Sequence, residues 1–281
     1  MKILLLGHKG MLGCDLLSQL GRKHDIIGLD KEEIDITSES ECRRAIHENR
    51  PDIVINAAAY TDVDGCEKAK DECFAVNAEA VKNIAETCRE KNIRIIHFST
   101  DYIFDGNSNE PYKEDSLCNP VNVYGASKLA GERYLQELSS NYILVRTEWL
   151  YGKNGKNFVR TILEKARTVN KLEVVDDQTG SPTYTRDLAA AVDLLIERNV
   201  AGIFHLTNRG SCSWFQFAQK ILQGAGVTGV QVMPIKSGQL NRLAQRPAYS
   251  VLSMQKFIAA TGKTMQPWQL ALQDYLQSIK Y

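Results

Sequence analysis

Lys2-Ile3-Leu4-Leu5-Leu6-Gly7-His8-Lys9-Gly10-Met11-Leu12-Gly13 is the stretch that decides the fold. A short aliphatic run closes on a glycine, two more glycines follow at three-residue intervals, and a stretch of helical period begins. A buried strand that passes through glycines into a helix opens a crossover unit, and such units build parallel sheets. Gly7, Gly10 and Gly13 permit a tight turn, let backbone approach a pyrophosphate and allow the helix to pack close on the strand. The helix N-terminus favours negative charge. The spacing is Gly-x-x-Gly-x-x-Gly, where the standard dinucleotide fingerprint has Gly-x-Gly-x-x-Gly.

The alternation continues outward from this segment. Runs at Ile3–Leu6, Ile26–Leu29, Ile53–Asn56, Arg94–Phe98 and Ile143–Arg146 predict strands, with helices near 11–21, 38–49, 72–91 and 123–139. Helix 72–91 carries an apolar stripe of Phe74, Val76, Ala80, Val81, Ile84, Ala85 and Cys88. Beyond residue 150 the regularity weakens. Strands are expected at Glu173–Val175, Ile203–Leu206 and Val230–Met233, and helices near 156–168, 184–198, 213–224 and 267–279. The expected class is α/β, a doubly wound parallel sheet of Rossmann type, with a smaller C-terminal substrate-binding region. Residues 1–150 form the dinucleotide-binding domain and 151–281 mainly the substrate-binding region, the segment about 184–206 being a candidate to return to the sheet.

The bulk properties narrow the function classes. A chain of 281 residues with 43% hydrophobic content can bury one large core or two modest ones. Its 34 basic and 34 acidic residues cancel, which gives no reason to expect nucleic acid or an anionic membrane as partner. Seven cysteines, with no Cys-x-x-Cys pair, read as reduced thiols, and five scattered histidines lack ligand spacing, so no metal site is expected. The first apolar run is too short for a signal peptide, and no stretch approaches the roughly 20 residues that span a bilayer. A cytoplasmic location is expected.

Two further segments carry chemistry: Ser99-Thr100-Asp101-Tyr102 and Tyr124-Gly125-Ala126-Ser127-Lys128. On a helix, the i,i+4 spacing sets the Tyr124 phenol and the Lys128 ammonium on one face, where the cation favours the phenolate and readies the phenol as a proton donor. A free tyrosine has a pKa near ~10, so acid–base work at neutral pH calls for a nearby positive charge. Asp30 ends the second strand, where a carboxylate can bond adenosine ribose hydroxyls and repel a 2′-phosphate, while adjacent Lys31 could neutralise that phosphate. NADPH and NADH therefore both stand as cofactors. Asp35 and Ile36 are placed to border the adenine, and the small side chains of Ala57, Ala58 and Ala59 either admit the cofactor backbone or serve tight helix–sheet packing.

With Asn56-Ala57-Ala58-Ala59-Tyr60-Thr61, Val63-Asp64, Glu67, Ser99 to Gly106, Tyr124 to Lys128, Arg146-Thr147-Glu148-Trp149-Leu150-Tyr151-Gly152, Asn157-Phe158, Asp177 to Thr183 and Arg246-Pro247, the chain resembles the extended short-chain dehydrogenase/reductase superfamily. Within it the chain is similar to the dTDP-4-dehydrorhamnose reductases over nearly its whole length. The resemblance implies NAD(P)H-dependent reduction of dTDP-4-dehydro-L-rhamnose to dTDP-L-rhamnose, a step toward surface polysaccharide. It implies that Thr100, Tyr124 and Lys128 are catalytic, and that Gly10, Met11, Leu12, Asp30, Asp35, Ile36, Ala59, Tyr60, Thr61 and Phe98 touch the dinucleotide, with Gly7 and Gly13 in its turn. Tyr124 and Lys128 also face the dinucleotide. Thr100, Asp101 and Trp149 would touch the sugar nucleotide. Trp149 is otherwise a core filler, and Arg246 is either a diphosphate clamp or half of a structural salt bridge.

Some members bridge a dimer with magnesium through an acid early in the first helix and another after the Pro-Thr pair. Asp15 keeps the first and Arg186 replaces the second, which implies no metal and a monomer or weak homodimer. The competing readings are a non-catalytic nucleotide-binding subunit, like the regulatory subunit of methionine adenosyltransferase, and another sugar-nucleotide reductase or epimerase. Dehydratases of this superfamily follow the threonine with Asp-Glu, whereas here Tyr102 follows Asp101.

Overall fold

The computed structural model describes residues 1–279. In chain order the first half runs β1 (Lys2–Leu6), α1 (Met11–Leu20), β2 (Asp25–Leu29), α2 (Glu39–Asn49), β3 (Ile53–Asn56), α3 (Val63–Lys68), α4 (Lys70–Phe74), α5 (Ala80–Glu90), β4 (Arg94–Thr100), α6 (Val123–Leu138) and β5 (Tyr142–Thr147). The second half comprises β6 (Leu150–Tyr151), α7 (Phe158–Lys165), β7 (Lys171–Val175), β8 (Thr179–Gly180), β9 (Thr183–Tyr184), α8 (Thr185–Glu197), β10 (Gly202–His205), β11 (Cys212–Ser213), α9 (Trp214–Gly224), β12 (Gln231–Ile235), α10 (Gln255–Thr261) and α11 (Trp268–Ser278).

Six strands form one parallel sheet in the order β10-β5-β4-β3-β1-β2. Both faces are covered, which is why the strands read as continuous aliphatic runs rather than alternating ones. Ile3 and Leu5 of β1 point into a core with Leu12, Leu16, Leu188, Val192 and Phe257, while Leu4 and Leu6 point into another with Ile46, Val81, Ile84 and Leu135. The chain winds outward from β1 to β2 and then returns to the other side of β1 with β3, so the strand order reverses between them. At such a switch point the loops beyond the strand ends part into a crevice. A separate core of Tyr151, Leu163, Val174, Tyr184, Phe217, Trp268 and Tyr275 supports the elements after β5, where β7 and β12 pair in parallel.

The structure departs from the sequence reading at three helical segments. Helix 72–91 is α4 and α5 joined by a π-turn, Ala75–Glu79. Inside that turn Asn77 is buried; it accepts from Tyr60 N at 2.9 Å and donates to Tyr60 O at 3.0 Å and to Ser127 Oγ at 3.0 Å. The widened turn thus braces the loop after β3 against α6, a purpose that periodicity does not record. The short helices α3 and α10 span fewer than two turns each and leave no stripe long enough to detect.

Helix α6 is held by close backbone approach. A Cβ on Gly125 would stand 2.1 Å from Tyr102 O, and one on Gly131 2.2 Å from Asn77 O. At its far end buried Glu132 pairs with buried Arg146 of β5 at 2.8 Å. Gly131→Ala is expected to force α6 off the π-turn and destabilise the fold by about 1–3 kcal/mol, the usual cost of overpacking. Urea unfolding of the two proteins measures it.

Candidate active site

The parallel strands end together, so the residues that follow them share one edge. Gly7 follows β1, Asp30 follows β2, Ala57 follows β3, Asp101 follows β4 and Glu148 follows β5. Two cavities run along this edge and share Gly10, Ala57 and Ala59 in their walls. One, of about 500 Å³, is lined by Gly7, Gly10, Asp30, Asp35, Ile36 and Ala57–Ala59 among others. Its neighbour, of about 440 Å³, is lined by Met11, Leu12, Thr61, Phe98, Thr100, Asp101, Tyr124, Lys128 and Trp149, together with Tyr102, Thr147 and Glu148.

The first cavity suits a dinucleotide. Gly7 has φ +80°, and a Cβ there would meet Ala58 N at 2.8 Å, so only glycine lets the two strand ends close. Gly10 caps α1 without a side-chain hydrogen bond, leaving the N-terminal amides of the helix facing the cleft that Met11 and Leu12 line. Burial works against ionisation of the Asp30 carboxyl. The backbone N–H groups of Lys31 and Lys9, each donating at 2.9 Å, nonetheless hold it below the usual range and fix it at the cavity wall. Lys9 Nζ pairs with Glu32 and Glu33 at 3.0 and 2.8 Å, at the rim beyond Asp30.

The second cavity gathers the chemistry. Asn122 caps α6, accepting from Gly125 N at 2.7 Å, and Glu67 Oε1 accepts from Val123 N at 2.9 Å. These contacts fix the first turn, and with it Tyr124, whose ring packs edge-on against Tyr102 at 5.6 Å. Burial raises the Tyr124 pKa, the Thr100 hydroxyl facing the phenol works the other way, and the charge of Asp101 adds to the rise. Lys128 is buried and its pKa is lowered by that burial to about 8. Its ammonium donates to Phe98 O at 2.6 Å and lies 3.4 Å from His97 Nε2. The expected acidification of Tyr124 by Lys128 is therefore not what this structure displays. The amine is drawn back to β4, and the phenol stays in its protonated, proton-donating form.

Most of the expected residues come together, and three do not. Gly13 lies under the turn, where a Cβ would stand 2.0 Å from Gly7 O, so it shapes the cleft without lining it. Tyr60 is pinned by its backbone to Asn77 and lines neither cavity. Arg246 stands in the salt-bridge alternative, bound to Asp64 at 2.7 and 2.8 Å, and also lines neither. Trp149 is at once wall and filler. It adopts φ +48°, an uncommon backbone for a bulky residue, and stacks on Trp214 with ring centroids 3.5 Å apart.

The sequence reading assigned no role to Glu148 or Ser250. Glu148 is 2% exposed, its pKa raised by burial and then by the charge of Asp101, and Ser250 Oγ donates to its Oε2 at 3.1 Å. Its place directly after β5, beside Trp149, was the available signal.

The RmlD substrate binding domain family matches residues 1–281. Spore coat polysaccharide biosynthesis protein SpsK of Bacillus subtilis is 38% identical, over 98% of this chain and 97% of its own. A dTDP-4-keto-6-deoxy-D-glucose reductase of Streptomyces niveus is 35% identical, over 96% and 94%. The solved structure of a dTDP-4-dehydrorhamnose reductase from Bacillus anthracis in complex with NADP is 38% identical, with a TM-score of 0.96 and 99% of both chains covered. The chain belongs to the RmlD substrate binding domain family. Gly13→Ala is expected to lift the glycine turn and weaken NADPH binding about tenfold or more while the protein stays folded, as read by titration of NADPH fluorescence.

Proposed function

We propose that this member of the RmlD substrate binding domain family reduces dTDP-4-dehydro-L-rhamnose to dTDP-L-rhamnose with NADPH or NADH, a step in nucleotide-sugar supply for surface polysaccharide. The observation that carries the proposal is the convergence of Thr100, Tyr124 and Lys128 on one cavity continuous with a dinucleotide-shaped cleft. In this reading residues 1–150 mainly hold the cofactor and 151–281 mainly the sugar nucleotide. A bound dinucleotide supplies the hydride that reaches C4.

The chain's own residues do the rest. The glycine turn, the amides opening α1 and the Asp30 carboxylate hold the dinucleotide, with Asp35, Ile36, Ala59 and Thr61 along its wall. Lys128 holds the nicotinamide ribose. Thr100 donates a hydrogen bond to the C4 oxygen, and Tyr124 gives that oxygen its proton. A raised phenol pKa suits this role, because the group must be protonated before the hydride arrives. Asp101 and Trp149 contact the sugar nucleotide. We further propose a cytoplasmic monomer or weak homodimer. All seven cysteines are free, and Arg186 follows Thr185, whose hydroxyl donates to Asp15. No described helix is long and apolar enough to cross a membrane.

A second reading follows from the Streptomyces niveus relative, whose name specifies a sugar of the D-gluco series. Cofactor oxidation measured with each keto sugar decides between them. Turnover of the L-rhamnose precursor is expected; turnover of the D-glucose derivative alone would assign the second reading, and none with either would point to a binding protein. Net consumption of added cofactor counts against an epimerase.

Tyr124→Phe is expected to lower kcat by about 10²–10⁴-fold with NADPH affinity retained, measured by steady-state rates and fluorescence titration. The pH dependence of Lys128 has a definite sign. With a pKa near 8 it is charged below that pH and neutral above it, so kcat/KM for the cofactor should fall as pH rises through about 8. A flat profile to pH 10 would remove the ammonium from cofactor binding.

A further inference from the structure

Glu148 and Ser250 end a line of hydrogen-bonding groups that begins at Tyr124. The Thr100 hydroxyl faces the phenol and lies 3.0 Å from Asp101 Oδ1. Ser250 faces Asp101 and donates to Glu148 Oε2 at 3.1 Å. Thr100, Asp101, Glu148 and Ser250 are all buried. Among the described residues Asp101 Oδ2 and Glu148 Oε1 have no hydrogen-bond partner, and both residues line the cavity that holds Tyr124.

Among the described residues neither acid forms an ion pair. Their titratable neighbours are Tyr102 in the turn after β4, Tyr124 on α6, Cys212 on β11 and Tyr249 beside Ser250. Of the region's cations, Lys128 is bound to Phe98 O and Arg246 to Asp64, and Arg242 acts on Tyr102 and Asp64. Burial raises the Asp101 pKa to about 6 and the Glu148 pKa further above its ordinary range, Asp101 adding to the latter. Two carboxyls so placed do not both ionise readily, and they titrate as a pair.

We propose that Asp101 and Glu148 store a shared proton and return it to Tyr124 through Thr100, with Ser250 joining the two acids. The proposal rests on the ketoreductase reading above. Delivery of the phenol proton to the C4 oxygen leaves the Tyr124 oxyanion. Thr100 gives its hydroxyl proton to that oxyanion and takes one from the Asp101 carboxyl group. That carboxyl proton is the pair's single one: it starts on Glu148, and the Ser250 hydroxyl, turning from Glu148, passes its own proton to Asp101 and accepts the Glu148 proton before Asp101 gives its proton up. The pair, left without its shared proton, regains one from solvent at Glu148 once product leaves. One proton is consumed per ketone reduced, as the overall reaction requires. Glu148 and Ser250 are positioning residues here, acting through Asp101 and Thr100.

The test compares wild type, Glu148→Gln and Ser250→Ala with NADPH and dTDP-4-dehydro-L-rhamnose. Glu148→Gln keeps the shape but cannot pass a proton. Its kcat should fall about tenfold or more while KM for the sugar changes less than about twofold. Asp101, freed from its charged neighbour, then empties at lower pH, so the alkaline fall in kcat moves to lower pH and the solvent deuterium isotope effect on kcat grows. Ser250→Ala, which leaves both acids in place, should shift kcat in the same direction. Independently of turnover, infrared spectra of the unliganded protein at neutral pH should show a protonated carboxyl band that Glu148→Gln removes. An active wild type beside a Glu148→Gln variant with unchanged kcat and pH profile overturns the relay alone, as does a change confined to KM or a spectrum with both acids ionised. A wild type that oxidises no cofactor with either keto sugar overturns the ketoreductase reading, and the relay with it.

Discussion

The site depends on how closely α6 lies against main chain. Gly125 meets the carbonyl of Tyr102 and Gly131 that of Asn77, with no room for a side chain at either contact. Those two contacts, six residues apart, lie on either side of Lys128 and fix the helix against the carboxyl edge of the sheet. Its first turn is satisfied by Asn122 and Glu67, so the helix begins at one residue and not the next. A shift of one position would rotate Tyr124 by about 100° away from the cavity. The buried Arg146–Glu132 pair adds little net stability by the usual balance of desolvation and attraction, and it ties α6 to β5.

The crevice itself is a consequence of winding. Chains that leave β1 toward β2 and return toward β3 cannot cover the point of reversal, and the glycine turn and the alanines after β3 keep that gap narrow and backbone-lined. β10 pairs with β5, so residues from the second half complete the edge of the first sheet. This also carries α8 onto the face occupied by α1, where Leu188, Val192 and Leu195 join Leu12 and Leu16 in one core. The elements beyond β5 therefore share packing with the first half of the chain, and Trp149, Trp214 and Phe158 form an aromatic cluster after β5.

What the sequence disclosed and what it withheld follow a physical line. β1, β3, β4 and β5 were legible because a sheet covered on both faces demands unbroken aliphatic runs, and the Tyr124–Lys128 pair because helical spacing is local. The π-turn was hidden because its reason, Asn77 bracing Tyr60 and Ser127, spans distant segments. Ser250 with Glu148, and Arg246 with Asp64, lie 102 and 182 residues apart in sequence, and no local pattern announces such pairs. The direction of the Tyr124 shift was misjudged for a related reason. Spacing places two groups on one face, but only the fold reveals that Phe98 O claims the ammonium.

Burial explains why such an arrangement suits the reduction of a ketone. A proton donor must hold its proton until charge develops on the substrate oxygen, and desolvation strengthens that hold at Tyr124 just as it loosens the proton on Lys128. The same low-dielectric wall keeps Asp101 and Glu148 from ionising together. Acid strength here is thus set less by any single ion pair than by the burial of the side chains at the ends of β4 and β5. Charge then becomes favourable chiefly where a dipole is already aimed, as the Thr100 hydroxyl is toward Asp101 and the α1 amides are toward the cleft. A site of this kind works through buried side chains and fixed dipoles, and the close-packed helix that places them is for that reason part of its chemistry.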